Sequence, residues 1–250
     1  MLRPKVAGRV RRAFGAGRSD VELSDRERAE LEAKLGRSLF GVASQHHREL
    51  VRLAGDPPDV SRVPETFWAR VEDETRQAIA EVILLAWMAS AVRHGLSGDT
   101  LQQPAREFAE RRALDTARRY VEHSRRRLDG LAPGQATRDR IDTTFSRERS
   151  TMVAETEITA AQTAGGEAWA DDARRRGLVI KAVWRHSSRR PRGHSHAAKE
   201  PCPICSPLEG TTEEVWRRIA PTGPAAHPFC DCFIAYEEVP TGITQLPIGA

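Results

Sequence analysis

The chain has 250 residues, enough to bury a substantial core in one or two domains. A hydrophobic fraction of 39% against 30% charged residues is too polar for a thick β-sandwich and fits long helices with one exposed face. The net charge of +4 is distributed unevenly, and the longest apolar run, residues 82–92, falls far short of the ~20 residues that span a bilayer, so the sequence predicts a soluble chain with no membrane partner.

Residues 1–18 hold six basic and no acidic side chains. Glycines at 8, 15 and 17 interrupt them and no apolar period develops, so residues 1–20 read as a disordered basic arm, with Arg9, Arg11 and Arg12 as candidate contacts to phosphate or to an acidic protein surface. No uninterrupted apolar stretch follows, so no secretory leader is expected. Ser24 and Glu27 form a Ser-x-x-Glu capping box ahead of Leu31, Leu35, Leu39, Val42, Leu50 and Leu53, which predicts a first helix closed by Gly55 to Pro58. Pro64 should open a second at a first-turn position, with Phe67, Val71, Ala78, Val82, Leu85 and Met88 as its stripe.

A third helix is expected from about Pro104 to Leu128, apolar along Phe108, Leu114, Ala117, Val121 and Leu128. Its other side carries Arg111, Arg112, Arg118, Arg119 and Arg125 to Arg127, a candidate basic surface. After a hinge at Gly130 to Gly134, one helical tract should run from Ile141 and Phe145 through Ile158 and Trp169 to near Gly177. The period then changes: Leu178 to Trp184 and Cys232 to Val239 are β-prone and positioned to pair. A second basic stretch, residues 174–199 with nine basic and no acidic side chains, spans the first of these segments, and its Arg189, Arg190 and Arg192 sit in the turn-rich loop that follows and are further candidates for phosphate or partner contact. Residues 240–250 read as a frayed tail.

The cysteines carry the chemistry. Cys202 and Cys205 form a Cys-x2-Cys knuckle, and after a 21-residue loop His227, Cys230 and Cys232 follow, so all four cysteines fall within 31 residues. Zn²⁺ takes tetrahedral thiolate and imidazole ligands from such two-segment arrangements, and the spacing predicts a structural Zn²⁺ site. Five candidates compete for four places: Cys202 and Cys205 rank first, His227 and Cys230 next because His-x2-Cys closes a turn around an ion, and Cys232 is the spare because it opens a strand. A deaminase reading of Pro-Cys-x-x-Cys fails because no His-x-Glu lies upstream. Glu209 lacks a positioned acid or base partner, Glu155 and Glu157 sit two apart on different helix faces, and His186, His194 and His196 read as loop residues. Trp184 and Trp216 are expected in the core of a module too small to hold itself together without the ion.

The C-terminal half resembles the phage head-morphogenesis family, the Mu F-like minor head proteins of tailed bacteriophages. The resemblance spans about residues 137–238 and rests on ordered motifs: the alanine-rich helix with Ala154, Glu155, Thr156 and Glu157, the strand ending in Trp184, CPICSPLEG at residues 202–210, and HPFCDC at residues 227–232. The chain departs from the family pattern in its longer basic loop and in Asp231, where Arg is usual.

The expected architecture is mainly α: a helical body over 21–135, then a small zinc-stapled α+β module over 136–239 matching the head-morphogenesis domain. The resemblance implies a non-enzymatic minor head (capsid) protein that joins the portal protein in the virion, at the head interior or portal vertex, after assembling in the host cytoplasm. It further implies a part in head assembly, DNA packaging or ejection, with the major capsid or scaffolding protein and non-specific double-stranded DNA as further partners. The alternative is a zinc-containing nuclease or nucleic-acid-binding protein, which lacks a visible nucleophile–base set or recognition helix.

Overall fold

In a computed structural model that describes residues 23–96, 101–186, 203–228, 230 and 232–239, the first helix, α1, runs Asp25–Ala54. The Ser24 hydroxyl accepts from the Glu27 amide at 3.3 Å while the Glu27 carboxylate accepts from the Ser24 amide at 2.9 Å, so the expected capping box satisfies two amides that a helix start leaves orphaned. Helix α2 is Glu65–Arg93, with Pro64 extended at its N-cap and not inside its first turn. Helix α3, Gln102–Leu128, begins two residues before Pro104.

The single tract expected beyond the hinge is two helices, α4 at Gln135–Thr144 and α5 at Arg147–Arg175. The break falls where the β-branched Thr143 and Thr144 weaken helix propagation and Ser146 offers a better use of its hydroxyl, accepting from the Arg149 amide at 3.2 Å as the N-cap of α5.

Helix α2 packs on α3 and α5, and α1 packs on α5 and α2. One core joins Leu31, Leu35 and Leu39 to Ile79, Ile83 and Trp87, to Ala105 and Ala109, and to Ala154, Ile158 and Ala161. A second, at the other end of the bundle, gathers Leu50, Phe67, Trp68, Tyr120, Leu128, Ile141 and Phe145. Packing therefore runs across residue 135 without a break, and α5, expected in the second domain, is a central helix of the body. Helix α2 is long and apolar enough to cross a membrane by length and composition alone, but 61% of its most apolar window is buried inside the bundle. Its apolarity serves the core.

Four of the seven arginines on that side of α3 are paired with carboxylates, so it is only in part a free basic surface. Arg126 meets Glu122 one turn back on α3 itself, whereas Arg112 makes a two-point ion pair with Glu157 of α5, and Arg125 and Arg118 pair with Glu65 and Glu72 of α2. Neighbouring helices supply carboxylates that the α3 sequence alone does not show. The arm arginines Arg9, Arg11 and Arg12 and the loop arginines Arg189, Arg190 and Arg192 lie outside the described residues.

The C-terminal module consists of β1 (Ile180–Arg185), a 3₁₀ turn (Ser206–Leu208), α6 (Glu213–Ile219) and β2 (Phe233–Glu238). The two strands pair antiparallel, with Trp184 opposite Ile234 and Ala182 opposite Tyr236. Trp184 and Trp216 are fully buried with ring centroids 6.0 Å apart, as the sequence predicts for the module core. Two charge pairs fasten α6 to α5: Arg174 to Glu213 at 2.6 Å and Arg217 to Glu167 at 2.8 Å. The fold is a mainly helical body carrying a small α+β module.

Two adjacent glycines let α5 lie between its neighbours. A Cβ on Gly165 would stand 2.5 Å from the Trp87 carbonyl oxygen of α2, and one on Gly166 would stand 2.7 Å from the Tyr236 ring of β2. Gly165→Ala forces α2 and α5 apart and should cost about 1–3 kcal/mol, read as a lowered urea midpoint at unchanged slope.

His94 closes α2 and stacks on Trp169 at 5.4 Å while meeting Tyr236 edge-on at 5.5 Å. Burial lowers its pKa from 6.5 to about 4. As pH falls below about 6.5 the unfolded chain takes up this proton before the folded chain does, so stabilisation present above that pH is lost progressively towards about pH 4. The loss is on the order of 3 kcal/mol. His94→Phe keeps the ring stack and should remove this part of the pH dependence, seen as the difference between the two proteins' denaturation midpoints between pH 7 and pH 4.5.

Candidate metal centre

Three donors from the two cysteine segments meet in the module core. Cys205, His227 and Cys230 place their ligand atoms within 4.8 Å of one another. The Cys205 and Cys230 sulfurs are 3.9 Å apart, far from the ~2.05 Å of a disulfide and close to the ~3.8 Å edge of a tetrahedron with metal–sulfur bonds of about 2.3 Å. His227 Nε2 lies 3.0 Å from the Cys205 sulfur, within roughly half an ångström of the corresponding nitrogen–sulfur edge.

The protonation of the imidazole suits ligation. His227 Nδ1 is 2.7 Å from the Pro228 carbonyl, which can only accept, so Nδ1 carries the proton and Nε2 presents its lone pair to the sulfurs. Metal-bound histidines are oriented by this kind of outer hydrogen bond.

Cys205 sits where the chain enters the 3₁₀ turn, and the turn is fastened to β1. The Leu208 amide donates to the Cys205 carbonyl at 2.9 Å, the Gly210 amide to the Trp184 carbonyl at 2.9 Å, and the Trp184 amide to the Thr211 carbonyl at 3.0 Å. Gly210 has φ 75°, a left-handed conformation that favours glycine, and this lets the chain turn back along β1. His186 donates from Nε2 to the Cys205 carbonyl at 2.8 Å, so it braces the knuckle backbone and contributes no ligand. On the other side, the Cys230 amide donates to the His227 carbonyl at 3.2 Å, and the Thr159 hydroxyl of α5 donates to the Cys230 carbonyl at 2.7 Å.

The thiols cannot ionise independently. Hydrogen bonds from Cys205 and Cys232 hold the Cys230 thiol far below the usual thiol range, while hydrogen bonding to Cys230 and Cys232 pushes Cys205 far above it. Cys232, lowered by Cys205 but raised by Cys230 and by burial, ends above its ordinary value. The three thiols therefore titrate together as one group; a divalent cation at its centre would ionise its thiol ligands outright. The donor types, the separations and the imidazole tautomer all fit a metal ion.

Of the five candidate ligands, the structure brings together Cys205, His227 and Cys230. Cys202 lies outside the described residues. Cys232 is buried in the same core and its thiol interacts with those of Cys205 and Cys230, yet it does not join the three-donor group. Glu209 is committed to the loop, accepting from the His186 amide and pairing with Arg185 at 3.6 Å. Sequence reasoning did not single out Thr159 or Arg28, which supports it: Arg28 is 131 residues away, and no local pattern marks the pair.

Comparison of the chain with models of known families, with curated proteins and with solved structures finds no match.

Cys205→Ser or Cys230→Ser should abolish metal binding and unfold the module while leaving most helical ellipticity. Metal content by elemental analysis, circular dichroism at 222 nm and the change in Trp fluorescence, to which Trp184 and Trp216 of the module contribute beside Trp68, Trp87 and Trp169 of the body, follow the three effects.

Proposed function

We propose that this chain is a minor head protein of a tailed bacteriophage or a prophage-derived particle, associating with the portal protein and assisting head assembly, DNA packaging or ejection. The observation that carries this reading is that the later motifs of the resemblance, dispersed over residues 184–232, meet in one place. The Trp184 backbone grips Gly210 of CPICSPLEG, and Cys205 faces Cys230 of HPFCDC, while the earlier patch serves the helical body, Ala154 in its core and Glu157 on Arg112 of α3. Such convergence is expected if the motif set is the signature of a single structural site.

The ion we infer is Zn²⁺, because thiolate and imidazole donors suit it and the two-segment spacing is that of structural zinc. Cys202, three residues before Cys205 in the Cys-x2-Cys pattern, is the fourth ligand in this reading. A shell filled by four protein donors leaves no coordination position for water, so the site is structural and the protein is not an enzyme. The zinc-bound ligands would fix the 203–210 and 227–232 segments against α5 and β1.

The arm at Arg9, Arg11 and Arg12 and the loop at Arg189, Arg190 and Arg192 supply the charge for packaged DNA or for an acidic portal surface. In purified particles the chain should appear at low copy number, and cryo-EM should place it at the portal vertex or in the head interior. Its absence from particles whose genome encodes it, together with failure to bind the cognate portal, would overturn the assignment. Zinc-dependent DNA cleavage, lost in a folded His227 variant, would put the nuclease in its place.

A further inference from the structure

We propose that the Thr159 hydroxyl, held by Arg28, is the positioning group for the Cys230 side of the metal centre, so that metal loading and the seating of α1 on α5 stabilise each other. The inference rests on the metal-binding reading above and adds to it a link between the ion and a helix 131 residues away from Thr159 in sequence.

Thr159 is fully buried on α5. Its hydroxyl has one proton and two carbonyls within reach: Glu155 of its own helix at 3.0 Å and Cys230 at 2.7 Å. Arg28 of α1 donates to the same oxygen from Nη2 at 2.5 Å, which fills an acceptor position and leaves the proton for a carbonyl. The shorter contact goes to Cys230. Arg28 is itself buried and donates from Nε to Glu32 at 2.8 Å. The result is a buried chain from the Glu32 carboxylate through the Arg28 guanidinium and the Thr159 hydroxyl to the Cys230 carbonyl. A charged donor polarises the hydroxyl it binds, so the last bond in the series is strengthened by the first.

That bond reaches the turn which carries two of the three donors. The Cys230 amide is tied to the His227 carbonyl, so fixing the Cys230 carbonyl orients the whole 227–230 turn relative to Cys205. One helical turn along α5, the Thr163 methyl group lies 3.1 Å from where a Cβ on Gly223 would stand, so the approach to the turn also lies along this face of α5. Outer hydrogen bonds that orient ligating side chains commonly contribute about 10–100-fold to metal binding, and a bond that fixes the backbone of a ligand residue acts to the same end one step further out. Linkage then requires the reciprocal effect: whatever Arg28 and Thr159 contribute to metal affinity, the metal returns to the seating of α1.

The test uses the full chain, reduced, with Zn²⁺ as the probe and a chromophoric chelator in competition. Thr159→Val keeps the shape and removes the hydroxyl; it should weaken Zn²⁺ binding about 10–100-fold, whereas Thr159→Ser should stay within about threefold of the parent. Arg28→Met should shift affinity in the same direction as Thr159→Val. A general loss of stability would not produce the second readout: amide exchange in residues 28–36 of α1 should slow when Zn²⁺ is added to the parent protein and to Thr159→Ser, and should not change in Thr159→Val. Parent-like Zn²⁺ affinity in Thr159→Val, or α1 exchange indifferent to Zn²⁺ in the parent, overturns this inference and leaves the metal site standing. Failure of the parent itself to bind Zn²⁺ overturns both. If Thr159→Val loses its helical ellipticity, Arg28→Met and Thr159→Ser decide: Arg28→Met binding as the parent does rejects the link, and weakened binding by Arg28→Met with parent-like Thr159→Ser upholds it.

Discussion

The structure depends on one helix being surrounded. α5 packs against α1 and α2 and supports β2, so its sides must be narrow and its polar groups must find partners inside the protein. Narrowness comes from Ala154, Ala161, Gly165, Gly166, Ala170 and Ala173, all buried. The alanine-rich composition of this segment thus has a direct physical cause: at Gly165 and Gly166 even one methyl group meets backbone or ring atoms of a neighbour. A glycine within a helix costs roughly 1 kcal/mol in propensity, and here that cost is offset by helix contact that no larger residue permits.

Satisfaction of the polar groups then fixes the rotation of α5. Glu157, nearly fully buried, receives both a guanidinium Nε and an Nη from Arg112, and Ser90 of α2 donates to the Gln162 carbonyl at 2.7 Å. At the N-terminal end Arg149 is held by the Ser124 hydroxyl and by the Thr144 and Tyr120 carbonyls, with its guanidinium 4.0 Å from the Tyr120 ring centre. Burial lowers the Arg149 pKa, yet an arginine retains its charge well above neutral pH, so these carbonyl dipoles and the ring solvate a cation inside the protein. Removing Arg112 would leave the nearly buried Glu157 carboxylate without its partner, which makes this contact a determinant of register.

What the sequence disclosed follows from range. The Ser24 capping box, the Gly55 stop, the pairing of the two C-terminal strands and the burial of Trp184 and Trp216 are local or periodic signals, and they are present as expected. The split between α4 and α5 was legible in principle, since Ser146 followed by Glu148 is a helix start, but the apolar spacing across Phe145 concealed it. The side-chain partners were not legible. The α3 arginines look like a basic surface until Glu65, Glu72 and Glu157 arrive from other helices, and Thr159 looks like one more small residue on α5 until Arg28 and Cys230 approach it from either side. The metal-ligand spacing was informative because the ion's own geometry restricts which residues can meet, whereas a hydrogen bond between distant helices leaves no such trace.

Cys205, Cys230 and Cys232 are also core residues of the module, packed with Ala182, Trp184, Leu208, Trp216 and Ile234. The module therefore has little apolar reserve apart from its thiols. A cation bound by the folded form alone adds RT ln(1 + [M]/Kd), about 1.4 kcal/mol for each tenfold rise in free metal once the site is nearly saturated. With such an ion bound, the helical body would still owe its stability to its own packing, while the folded fraction of the module would follow the metal buffering of its surroundings. One polypeptide would thus combine two parts with different dependences on their medium, and chelation of a bound ion should loosen the C-terminal part at a temperature where the bundle is still intact.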